Sequence, residues 1–108
     1  MNLISEVFNG VLVVHAPEYL GDDQAKQLQQ FVLHRPQRSV VVDMDATDIV
    51  DSKGLSMLLD IHDWLVENDG DLKVSSANAT NRKIFEITRI DKHIDVFRTV
   101  LTAVKSFQ

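Results

Sequence analysis

The run SVVVDMDATDIVDSKGLSMLLDIHDWLV, Ser39 to Val66, changes its hydrophobic period partway along. Ser39 to Asp43 is a short β-branched run of the kind that forms a buried strand. An acidic loop follows. From about Ser52 the apolar residues fall at Leu55, Leu58, Leu59, His62, Leu65 and Val66, the i, i+3, i+4, i+7 spacing of a helix with one stripe facing a core. At 100° per residue, Lys53, Met57, Ile61 and Trp64 lie on a different face. That second face has two readings. It packs against a neighbouring helix through Ile84 and Phe85, or it is a partner-binding surface anchored by the only tryptophan, a residue type enriched at interface hot spots.

Outward from this segment the alternation continues. Val11 to His15 reads as a second buried strand, and Leu3 to Phe8 as a weaker one joined to it by Asn9-Gly10, a pair suited to the positive φ angles of a type I′ hairpin turn. Asp22 and Asp23 open a helix bearing Ala25, Leu28, Phe31 and Val32 on one face, with Pro36 beyond it. After the stop signal Asn68-Asp69-Gly70 comes an apolar run, Leu72 to Val74. Asn78 is placed to cap a helix through Ile84, Ile87 and Thr88. Val96-Phe97 then precedes a terminal helix with Val100, Leu101, Val104 and Phe107. Strands alternating with about four helices predict a single α/β domain over residues 1–108, with a mostly parallel mixed sheet and an antiparallel N-terminal edge.

Composition narrows the function. A chain of 108 residues with 44% hydrophobic residues can bury about two thirds of its unfolded surface without disulfides. Cysteine is absent, which removes thiol catalysis and thiolate metal sites. The net charge of -5 and the scattered Lys and Arg residues do not suit a phosphate backbone, so direct nucleic-acid binding is not expected. No segment approaches the roughly 18 apolar residues of a membrane span, and no secretory signal is visible, so a cytoplasmic location with no direct membrane contact is expected. His15, His34, His62 and His93 lack the spacing of a helical zinc pair and a nearby acidic partner. A hydrogen-bonded structural role is expected for His62, and no metal or cofactor site is proposed.

Ser52 lies between an acid and a base, with Gly54 two residues on. Asp51 and Ser52 are both preferred N-cap residues, and capping alone accounts for their presence. A phosphate on Ser52 would also be tolerated, because free N–H groups and the helix dipole favour an anion there by about 0.3 to 1 kcal/mol. Its charge, about -1.5 to -2, would alter the surface beside Asp45, Asp48 and Asp51.

The strand SVVVDM, the loop ending Ile49-Val50-Asp51-Ser52, and Gly54-Leu55 with its leucine-rich helix resemble the STAS domain, in particular the stand-alone anti-sigma factor antagonists of bacteria. The resemblance implies a non-enzymatic regulator of transcription that acts by partner switching. Ser52 would be the phosphoacceptor, with Asp51 and Gly54 shaping the loop around it. The implied partners are an anti-sigma factor or serine kinase of the GHKL ATPase type, bound when Ser52 is unphosphorylated, and a PP2C-like phosphatase. Asp51, Lys53, Gly54, Met57, Ile61 and Trp64 are the expected contact residues. Lys53 stands where the family usually has Ser or Thr, and Gly21 stands where it usually has an acid after the second strand. Other members of the family serve as a cytoplasmic subunit of a lipid-transport ABC system or in kinase-based signalling, which is the alternative reading.

A rival of another class comes from Asp43-Met44-Asp45-Ala46-Thr47, which fits Asp-x-Asp-x-Thr and so resembles the nucleophile motif of haloacid dehalogenase-type phosphatases. There the first Asp attacks phosphorus and Mg²⁺ neutralises the developing charge. This reading requires Asp43 to be exposed at a strand end. No second acidic pair follows a later strand to complete the metal site.

Overall fold

In the computed structural model, which describes residues 3–108, strand β1 (Ile4–Phe8) turns into β2 (Val11–His15) through Asn9 and Gly10, whose φ angles of 50° and 80° are those the tight hairpin requires. The chain then forms β3 (Tyr19–Leu20), α1 (Asp22–Leu33), β4 (Ser39–Asp43), β5 (Ile49–Val50) and α2 (Ser52–Glu67). It ends with β6 (Asp71–Ser75), α3 (Ala79–Ile87), a single 3₁₀ turn at Ile90–Lys92, β7 (Val96–Phe97) and α4 (Val100–Lys105).

The main sheet has the order β1-β2-β4-β6-β7, antiparallel between β1 and β2 and parallel elsewhere. This is the mixed sheet with an antiparallel N-terminal edge expected from the alternation. Leu12, Val14, Val40, Val42, Leu72 and Val74 face the core that α1, α2 and α3 enclose through Leu28, Val32, Leu58, Leu65 and Phe85. The opposite sheet face, Val11, Val13 and Val41, is covered by Ala103 and Val104 of α4. Burial on both faces explains why β4 reads as an unbroken β-branched run. Asn78 caps α3 by accepting the N–H of Thr80.

Two expectations about α2 change. Its inward direction lies between Leu58 and Ile61, where Gly54 and Leu65 also point, so Ile61 is fully buried while Val66 is half exposed and Leu59 and His62 are half-buried. The helix running alongside α2 is α1, and α3 contributes Phe85 and Ile84 to the same core rather than packing along α2. The stripe was displaced because residue spacing fixes only which side chains share a face; which face turns inward depends on where the neighbouring helix lies.

Candidate functional site

The loop between β4 and α2 is held by a second, two-stranded parallel ribbon. Tyr19 pairs with Ile49 and Leu20 with Val50, and the Asp51 N–H donates to the Leu20 carbonyl. The ribbon lies past the carboxyl ends of the main strands, the region where open α/β sheets place their sites. It was not foreseen, since two-residue strands carry no periodicity. The only signal was a pair of short apolar steps, Tyr19-Leu20 and Ile49-Val50, each just before a helix.

At the end of the ribbon, Asp51 is the N-cap of α2, and its Oδ1 accepts the Gly54 N–H at 2.9 Å. Its Oδ2 accepts the Tyr19 hydroxyl at 2.8 Å. The Gly54 bond first, and the Tyr19 bond second, hold the Asp51 carboxyl below its ordinary value. The same Tyr19 bond pushes the phenol up, because an O–H that donates to a carboxylate is harder to ionise. The Tyr19 ring lies over Gly21, where a β-carbon would run into it. Gly54 is fixed more severely, since a β-carbon there would collide with the Leu20 carbonyl; the first turn of α2 sits directly on the ribbon backbone.

Capping by Asp51 leaves Ser52 and Lys53 exposed at the first turn of α2. Tyr19, exposed, reaches this turn through its bond to Asp51; the exposed Ile49 lies three residues before Ser52, and the half-buried Met57 lies one turn beyond Lys53. Of the residues expected to form the site, Ser52 and Lys53 are exposed, Asp51 and Met57 are half-buried, and Gly54 is buried against the ribbon. Ile61 is removed from any surface by its burial. Trp64 lies twelve residues along α2, about 18 Å from Ser52 at the helical rise, is half-buried, and has the Arg38 guanidinium 4.8 Å over its ring. Tyr19 and Ile49, which carry no motif of their own, pair in the ribbon, and Tyr19 holds Asp51 beside Ser52.

The Asp43 and Asp45 pair is committed elsewhere. Asp43 is 8% exposed, contrary to what the phosphatase reading requires. Its Oδ2 is 2.7 Å from His15 Nδ1, and its Oδ1 accepts the Asp45 N–H. Asp45 in turn accepts the Ala77 N–H. Both carboxylates tie loops together at the strand ends. Acidic partners also correct the reading of two histidines: His15 meets Asp43 and Glu6, and His62 lies between Asp63 and Asp71. Among the described residues no cluster of three or more such side chains is placed to hold a metal ion, and no helix is long and apolar enough to cross a membrane.

Comparison with known proteins gives the fold a family. No curated protein matches the sequence. Among solved structures, an anti-sigma factor antagonist from Mycobacterium paratuberculosis is 23% identical with a TM-score of 0.83, covering 97% of this chain and 92% of that one. SpoIIAA of Bacillus resembles it in its unphosphorylated form (14% identity, TM-score 0.79, 98% and 96% covered) and its phosphorylated form (15%, 0.73, 99% and 100%). A sulfate transporter family protein from Wolinella succinogenes is also similar (16%, 0.74, 94% and 87%). At these identities the likeness is one of fold. The family model of the STAS domain matches residues 2–103, and the chain belongs to that family.

Proposed function

We propose that this chain is an anti-sigma factor antagonist that works by phosphorylation-controlled partner switching at Ser52. The observation that carries the reading is the division of labour at the start of α2: Asp51 makes the capping bond, and Ser52 is exposed beside it. A kinase can reach the hydroxyl, and the domain does not need it for the cap. Unphosphorylated, the surface of Tyr19, Ile49, Ser52, Lys53 and Met57 binds an anti-sigma factor or a serine kinase of the GHKL type. Phosphorylation adds about two negative charges beside Asp51 and Asp48 and repels that partner, while the helix N-terminus keeps the fold intact. A PP2C-like phosphatase restores the binding form. The chain itself has no catalytic role in this scheme, and its work is in the cytoplasm.

The test is binding of wild type, Ser52→Asp and Ser52→Ala to the serine kinase that co-purifies with the chain. Ser52→Asp is expected to bind at least tenfold more weakly at unchanged melting temperature, and Ser52→Ala to stay bound when ATP is added. Equal binding by wild type and Ser52→Asp would contradict the switch. A second reading, a constitutive STAS subunit of a lipid-transport ABC system or signalling adaptor, draws on Lys53 at the position after the acceptor. It predicts that Ser52 is never phosphorylated.

A further inference from the structure

His15 closes β2, and both of its ring nitrogens meet carboxylates. Nδ1 is 2.7 Å from Oδ2 of Asp43 on β4, and Nε2 is 2.7 Å from Oε1 of Glu6 on β1. A neutral imidazole has one N–H and one lone pair, so one of these contacts would then set a lone pair against a carboxylate. Only the imidazolium satisfies both. The three side chains therefore form a charged bridge across adjacent strands, from the edge of the sheet at β1 to its centre at β4.

The two ends of the bridge are not equally held. Asp43 is buried and also accepts the Asp45 N–H, whereas the Glu6 side chain is 46% exposed on the edge strand. A neutral ring has one N–H for two carboxylates, and Asp43 is the better anchored of the two. Glu6 and His15 also form the polar wall of a groove of about 460 Å³ between β1 and α4, whose apolar lining includes Phe8, Leu101 and Val104. Lys105 of α4 lines the same groove, and Lys73 of β6 is engaged with Ser106 on that sheet face. These two cations oppose the imidazolium from a distance, while the two carboxylates favour it in direct contact.

We propose that Glu6, His15 and Asp43 form a pH-operated latch fastening edge strand β1 to the centre of the sheet, and that loss of the His15 proton frees Glu6 and loosens the β1 wall of the groove. Burial of the ring works against its charge, but the bonds to Glu6 and Asp43 outweigh it, so the folded pKa is raised above 6.5. The latch is therefore closed below 6.5 and opens as pH rises through the higher folded value.

The experiment is a nuclear magnetic resonance titration of the isotope-labelled full chain over about pH 5 to 9, reading the His15 ring nitrogens and the exchange protection of the β1 amides relative to those of β4. Both ring nitrogens should be protonated at the acid end, with a midpoint above 6.5 that Glu6→Gln lowers. Protection of β1 should fall about two- to fivefold across that midpoint, the size of a half-exposed ion pair, and stay flat in Glu6→Gln. Glu6→Gln is chosen because it keeps the side chain's size at an exposed position. A midpoint at or below 6.5, one indifferent to Glu6→Gln, or β1 protection that ignores the titration would overturn the latch.

Discussion

Gly54 shows how one residue positions the whole site. With no β-carbon it lets the first turn of α2 rest on the Leu20 carbonyl, and Gly54→Ala is expected to destabilise the domain by about 1 to 3 kcal/mol, the usual cost of forcing a methyl group into filled space. Urea denaturation checks this, and a variant as stable as wild type would mean the helix shifts without cost. Asp51 acts through charge. Its folded pKa lies below the unfolded 3.8, so its contribution is present above that value and is lost as pH falls through the folded one. The stability of wild type and Asp51→Ala should therefore converge as the pH drops below about 4; a constant difference down to the acid limit would assign the cap no ionic character. Ile49 is exposed in the free chain, so Ile49→Asp should leave folding unchanged and weaken partner binding about tenfold, the size of a modest interface hot spot. Calorimetric titration against the kinase distinguishes that result from no effect.

Among the α-helices of the described residues, α4 is the shortest and the one least able to stand alone. A helix of six residues is far below the length at which helices persist in water, so α4 depends on what holds it to the sheet. Lys73 is one such hold: the side chain is buried, Nζ donates to Ser106 Oγ at 2.7 Å, and it lies 4.2 Å from the centre of the Phe107 ring. Lys73→Ala should cost about 2 kcal/mol and raise amide exchange first in α4. A uniform rise across the sheet would show that α4 and the strands unfold as one unit. The elements legible in the sequence were those with local signals of their own: the Asn9-Gly10 hairpin, the β-branched run of β4 and the Asn78 cap of α3. The ribbon of β3 and β5 escaped because two residues have no period, and the phase of α2 escaped because it is set by α1 and by the contact of Gly54 with Leu20. His15 was read without an acidic partner because both its carboxylates come from other strands, 9 and 28 residues away in sequence.

At the scale of the molecule, the Ser52 turn and the latch both lie at the carboxyl ends of the strands, because Asp43 closes β4 and opens the loop that leads to Ser52. Beyond the carboxyl ends of the strands, the ribbon and the first turn of α2 present Ser52 on a backbone that needs nothing from its hydroxyl. On the face partly covered by α4, the latch and its groove are fastened to the sheet's edge. The fold and the placement of Ser52 at a helix start follow from the Ser39 to Val66 segment, and the proposed partner surface around Ser52 includes Tyr19 only because the ring folds back against Asp51. Partner switching requires that Ser52 be a phosphoacceptor. Phosphopeptide mapping of the chain recovered from its native cells under several growth and stress conditions is expected to find phosphoserine at Ser52, with an occupancy that changes between conditions. Unmodified Ser52 under every condition would contradict the partner switch and leave the chain as a constitutive STAS subunit.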